Sequence, residues 1–194
     1  MTHAILGWGS LLWDEGDLSI PLDSEWAAAA GLNLPLEFSR VSGTRSGALT
    51  LVIDPENGGE CEVSYALSSR RNLEDVICDL RCREGTVVRR IGFIDRVSGR
   101  QRANIHPAIA DLIRRWAEGH NLSSVVWTDL PSNFEQDRHE SFSVEAASKY
   151  LQTSLDTEGA SKAKEYIDRA PPAIQTPLRE NLNQTDWWPT YGIT

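Results

Sequence analysis

The chain has 194 residues, the length of one domain or of a domain with an appendage. Its 19 Lys and Arg against 28 Asp and Glu leave a formal net charge of −9, which argues against nucleic acid or an anionic membrane as partner, because neutralising phosphate needs clustered cations. With 40% hydrophobic and 24% charged residues, the composition is that of a folded soluble protein rather than a disordered one.

Residues 3–8 are apolar and run into glycine, which predicts a buried first strand followed by a loop. The apolar run from Ala4 to Trp13 is too short to span a bilayer, and it lacks the basic flank and cleavage site of a signal peptide, so a cytoplasmic location is expected. Strand formers recur over Ala48–Ile53 and Cys61–Leu67. The Asp54-Pro55-Glu56-Asn57-Gly58-Gly59 turn between them predicts a hairpin. Leu73, Val76, Ile77 and Leu80 keep helical spacing, and Gly85 stands where a helix C-terminus wants glycine. Further strands are expected over Thr86–Asp95, near Gln101–Ile105 and over Leu122–Thr128. Pro107 opens a second helix with Ile109, Leu112, Ile113 and Trp116 on one face. A third helix follows Ser143 as N-cap, and a fourth covers roughly Ala160–Ala170 before Pro171-Pro172. Strands dominate before residue 130 and helices after it. The expected fold is α+β, a mixed, barrel-like sheet with flanking helices. Residues 1–130 form the domain, and residues 131–194 form a helical C-terminal extension packed on it.

Three segments carry candidate chemistry. Gly7-Trp8-Gly9-Ser10-Leu11 follows the first strand directly. Its glycines permit tight turns, and successive N–H groups there can cradle an anion; a plain tight turn is the competing reading. Glu84 is four residues after Leu80, seven after Ile77 and eleven after Leu73, so a carboxylate continues an apolar helical stripe. Burial and the helix C-terminus would both raise its pKa, as suits a general base; a frayed, solvated glutamate is the alternative. Arg40 and Arg45, in Phe38–Gly47, could clamp a substrate carboxylate or stand as two solvated loop arginines. His3, His106, His120 and His139 have no metal-ligand spacing. Cys61, Cys78 and Cys82 form no disulfide framework and read as reduced structural thiols. The Trp187-Trp188 pair is expected to pack back onto the domain or into a dimer interface. Trp127 to Phe134 leaves a strand into a loop and could rim a pocket.

Taken in order, Trp8-Gly9-Ser10-Leu11, the stretch from Arg40 through Thr50-Leu51-Val52, the Tyr65-containing strand Val63–Leu67 and the helix ending Leu80-Arg81-Cys82-Arg83-Glu84 resemble the γ-glutamylcyclotransferase-like superfamily. The likeness spans roughly residues 3 to 128. Trp8 departs from it, since the family commonly has tyrosine there and indole offers no phenolic acceptor. The resemblance implies that a γ-glutamyl amide cyclises to 5-oxoproline and releases an amine or amino acid. Glu84 would be the catalytic acid/base, and Trp8, Gly9, Ser10, Leu11, Arg40 and Arg45 would bind substrate. It implies no metal or organic cofactor and leaves a homodimer open. Two other functions fit the same residues: a non-catalytic small-molecule binding module, or a related amide hydrolase or acyl transferase.

Overall fold

β1 (His3–Gly7) is buried along its whole length, as its apolar sequence requires of a strand with neighbours on both sides. The computed structural model describes residues 1–14 and 20–192. Among them the strands are β1, β2 (Ala27–Val41), β3 (Leu49–Ile53), β4 (Gly59–Leu67), β5 (Ile91–Asp95), β6 (Gln101–Arg102) and β7 (Ser124–Thr128). The helices are α1 (Leu73–Arg83), α2 (Pro107–Gly119), α3 (Phe134–Arg138), α4 (Val144–Thr153), α5 (Thr157–Arg169) and α6 (Pro177–Leu182). The fold is α+β. The sheet is mixed, in the order β3-β2-β4-β1-β7-β5-β6. It is open among the described residues and not barrel-like: β3 and β6 stand at its two ends, and β6 has only two residues with which to pair.

The expected hairpin between β3 and β4 does not form, because β2 lies between them. The turn after β3 wraps β2 instead. The Asp54 N–H donates to the Pro35 carbonyl at 2.8 Å, and the buried Asp54 carboxylate accepts from the Glu56 and Asn57 N–H groups. Gly58 packs so closely there that a Cβ would come within 2.7 Å of the Pro35 and Leu36 backbone. β2 escapes prediction because its Ala27–Ala30 start and its Gly31 and Pro35 are poor strand formers.

The sequence predicts α1 and α2 well. The Asn72 side chain accepts from the Glu74 N–H, Gly85 follows α1 at φ +57°, and Pro107 sits in the first turn of α2. Ser143 caps α4, as expected. α5 begins three residues earlier than predicted, because the Asp156 side chain accepts from the Gly159 N–H at 2.7 Å. Of the predicted Thr86–Asp95 strand only Ile91–Asp95 is strand, with Val88–Arg90 turned into a 3₁₀ segment. β6 is short because the Asn104 N–H leaves the ladder for the Asp129 carboxylate, 2.6 Å away.

The chain divides into two compact units, one of residues 1–34 and 62–130, the other of residues 35–61 and 131 onward. In the first, β1 pairs antiparallel with β4 and parallel with β7, and β5 pairs antiparallel with β7 and β6. Ile5, Ile91, Phe93 and Val126 on one sheet face pack with Leu73, Val76, Ile77 and Leu80 of α1. On the opposite face Gly92 pairs with Trp127, and a Cβ on Gly92 would overlap the buried indole. Gly92→Ala is therefore expected to destabilise the protein by about 3 kcal/mol. That lowers Tm by roughly 6–12 °C in a thermal melt; an unchanged melt would contradict this packing.

In the second unit α5 packs on β3, and Phe38 meets Tyr166 edge to face at 6.2 Å. Trp188 is buried under Lys164 and stacks on Tyr191, while Trp187 is half-buried, so at least Trp188 packs back onto its own unit.

Candidate functional site

β1 and β7 are parallel, and ligands commonly bind beyond the carboxyl ends of parallel strands. α1 delivers Glu84 to that edge of the first unit. The segment before the helix lies at the start of β1, where the Arg71 carbonyl meets His3 Nε2 at 3.2 Å. The helix ends at the far edge: Arg83 donates to the Asp14 carbonyl, and the chain then enters β5 at Ile91, the register partner of Thr128 at the end of β7. The loop after β1 and the last turn of α1 thus share the edge where β1 and β7 end.

The loop is tightly built. A Cβ on Gly7 would come within 2.8 Å of the Trp26 ring, so glycine is required where that ring closes over the strand end. Trp8 is 6% exposed and Gly9 is buried, while Ser10 and Leu11 are half-buried. Ser10–Leu12 form one 3₁₀ turn, with the Leu12 N–H donating to the Gly9 carbonyl at 3.0 Å and the Asp14 N–H to the Ser10 carbonyl at 2.9 Å. The first N–H groups of such a turn have no acceptor inside it, which leaves those of Ser10 and Leu11 as donors for an outside partner. Leu11 packs against the cluster that holds Leu73, Val76, Ile77 and Leu80. Glu84 is the C-terminal residue of that same apolar stripe. It is half-buried, and its N–H donates to the Leu80 carbonyl at 2.9 Å. Arg81 turns its guanidinium to Cys82 Sγ at 3.0 Å.

Trp8, Gly9, Ser10, Leu11 and Glu84 all belong to the first unit. Arg40 and Arg45 belong to the second. Arg40, on β2, donates to the Pro131 carbonyl at 2.9 Å, and Arg45 lies over the Tyr166 ring at 5.1 Å. Both guanidinium groups thus engage residues of the C-terminal region, as groups that brace a fold do.

One ionisable residue gives no signal in the sequence. Glu37, in β2, is fully buried, and burial pushes its carboxyl up to about 7. Its oxygens accept the Phe38 N–H at 2.6 Å and the Leu178 N–H, in the first turn of α6, at 3.0 Å; the Thr176 side chain bonds it as well. Within the apolar run Leu34–Phe38 nothing marks Glu37 as a helix cap, since the helix it caps lies 141 residues along the chain.

His3 is buried between Ser124 and the Arg71 carbonyl, and the three cysteines are free thiols. Among the described residues no cluster of three His, Cys, Asp or Glu side chains stands ready for a metal ion, and no helix is long and apolar enough to cross a membrane. No protein-family model, curated protein or solved structure matches the chain.

Proposed function

We propose that the protein is a γ-glutamylcyclotransferase-like enzyme that cyclises a γ-glutamyl amide to 5-oxoproline. The observation that carries this reading is the meeting of the Gly9–Leu12 turn and the Glu84 end of α1 at the carboxyl edge of β1 and β7. The substrate's α-amine attacks its own side-chain carbonyl carbon, a C–N bond forms, and the five-membered ring closes. The bond to the leaving nitrogen then breaks. Proximity within one molecule supplies much of the rate, so no enzyme nucleophile is required. The Glu84 carboxylate takes the proton that the attacking amine loses and returns one to the leaving nitrogen. N–H groups of Ser10 and Leu11 suit the oxygen that gains charge between the two steps.

Incubation with a panel of γ-glutamyl amino acids, γ-glutamyl amines and glutathione should release 5-oxoproline from at least one. Open-chain glutamate as the product would mean an amide hydrolase instead. Ligand-dependent thermal shifts without turnover across the panel would mean a binding module.

A further inference from the structure

Two of the three cysteines do not serve the core. Cys61 is buried in β4, whereas Cys78 is exposed and Cys82 half-buried, both on α1. They stand four residues apart, so their side chains project from successive turns of one helix face, away from the stripe of Leu73, Val76, Ile77 and Leu80. Arg81 ties them together. Its Nη2 donates to Cys82 Sγ at 3.0 Å, and the same guanidinium bonds the Cys78 side chain. Both sulfurs therefore lie within reach of one planar group. The nearby acid Asp79 is already engaged, accepting two bonds from Arg70 at 2.7 and 3.1 Å. Among the described residues no cluster of three His, Cys, Asp or Glu side chains forms here.

Spacing decides what such a pair can do. Helix positions i and i+4 keep their Cβ atoms about 5–6 Å apart, whereas a disulfide needs roughly 3.5–4.5 Å. An intact α1 therefore resists closing a disulfide. A bridging ion suits the same gap, since two metal–sulfur bonds of about 2.3 Å reach roughly 4.6 Å between sulfurs. Two sulfur ligands without a third fall short of the tetrahedral set that Zn²⁺ takes, and they suit a soft ion content with few ligands, Cu(I). We infer that Cys78 and Cys82 hold one Cu(I) ion between them, with Arg81 beside it, at a site separate from the cyclisation proposed above. Each thiol gives its proton to solvent, and each sulfur donates an electron pair to the ion. Two thiolates and one Cu(I) carry a net negative charge, which the Arg81 guanidinium offsets.

The test titrates Cu(I), kept reduced and free of oxygen, into the full chain against bicinchoninate, a chelator whose colour reports the copper it keeps. The wild type should withdraw one ion per chain without changing its oligomeric state. Cys78→Ser and Cys82→Ser should each weaken capture at least roughly 100-fold, because the second sulfur no longer binds as an intramolecular partner. Arg81→Met should weaken it several-fold. None of the three side chains belongs to the buried core, so thermal melts of the variants should match the wild type. Capture by either serine variant as strong as that of the wild type would overturn the pair. So would half an ion per chain, shared between two chains. Release of 5-oxoproline enters none of these readings, so the copper site and the cyclisation fail separately.

Discussion

Glu84→Gln is expected to lower 5-oxoproline release roughly 100- to 10,000-fold, the range a positioned acid/base contributes. The substitution keeps the size and hydrogen-bonding reach of the side chain but removes its ability to accept a proton at neutral pH. The last turn of α1 has other supports: the Glu84 N–H to the Leu80 carbonyl, Gly85 at positive φ, and the Thr86 N–H to the Arg81 carbonyl at 3.2 Å. The variant should therefore still unfold cooperatively. Turnover at saturating substrate, set beside a thermal melt, separates lost chemistry from lost structure. Full turnover by a well-folded Glu84→Gln protein would remove Glu84 from the mechanism.

The second large effect concerns stability and lies with Glu37. Its carboxyl rises from 4.5 to about 7 on folding, chiefly through burial and partly through the Asp54 charge, against the hydrogen bonds from Thr176, Phe38 and Leu178. A raised carboxyl pKa means that the folded protein binds the proton more tightly than the unfolded chain does. The stabilisation is complete below about 4.5 and is lost as pH rises through about 7. Between pH 5 and pH 8 this one group should cost about 2.5 kcal/mol of folding free energy. Urea denaturation of wild type and Glu37→Gln at the two pH values measures it. The wild type should lose that much more than the variant, whatever constant offset the amide introduces. Parallel losses in the two proteins would mean that Glu37 does not titrate there.

Local signals were enough for much of the first unit. α1 is legible from the spacing of Leu73, Val76, Ile77 and Leu80 with Gly85 behind it, and that spacing places the half-buried Glu84 on the same stripe. β1 and β7 were legible as short apolar runs. What escaped is set by partners distant in sequence. β2 inserts between β3 and β4 through ladder bonds that its alanines and Pro35 do not advertise, so the strong turn at Asp54 reads in sequence as a hairpin. For Arg40 and Arg45 the sequence leaves a substrate clamp and two solvated loop arginines open, and it does not show that the Pro131 carbonyl and the Tyr166 ring will meet them. Glu37 gave no warning, because its first-turn donors in α6 are supplied from the other end of the chain.

β3 ends the sheet, and its Leu49, Leu51, Val52 and Ile53 are all nearly sealed from water, with α5 packed against the strand. A terminal strand so rich in aliphatic residues is a template for sticking to other chains unless something shields it. α5 therefore shields that strand against self-association. A shortened protein stopping at Leu130 would retain Glu84 and the glycine loop, yet would strip α5 from β3 and leave its aliphatic residues free to stick to other chains.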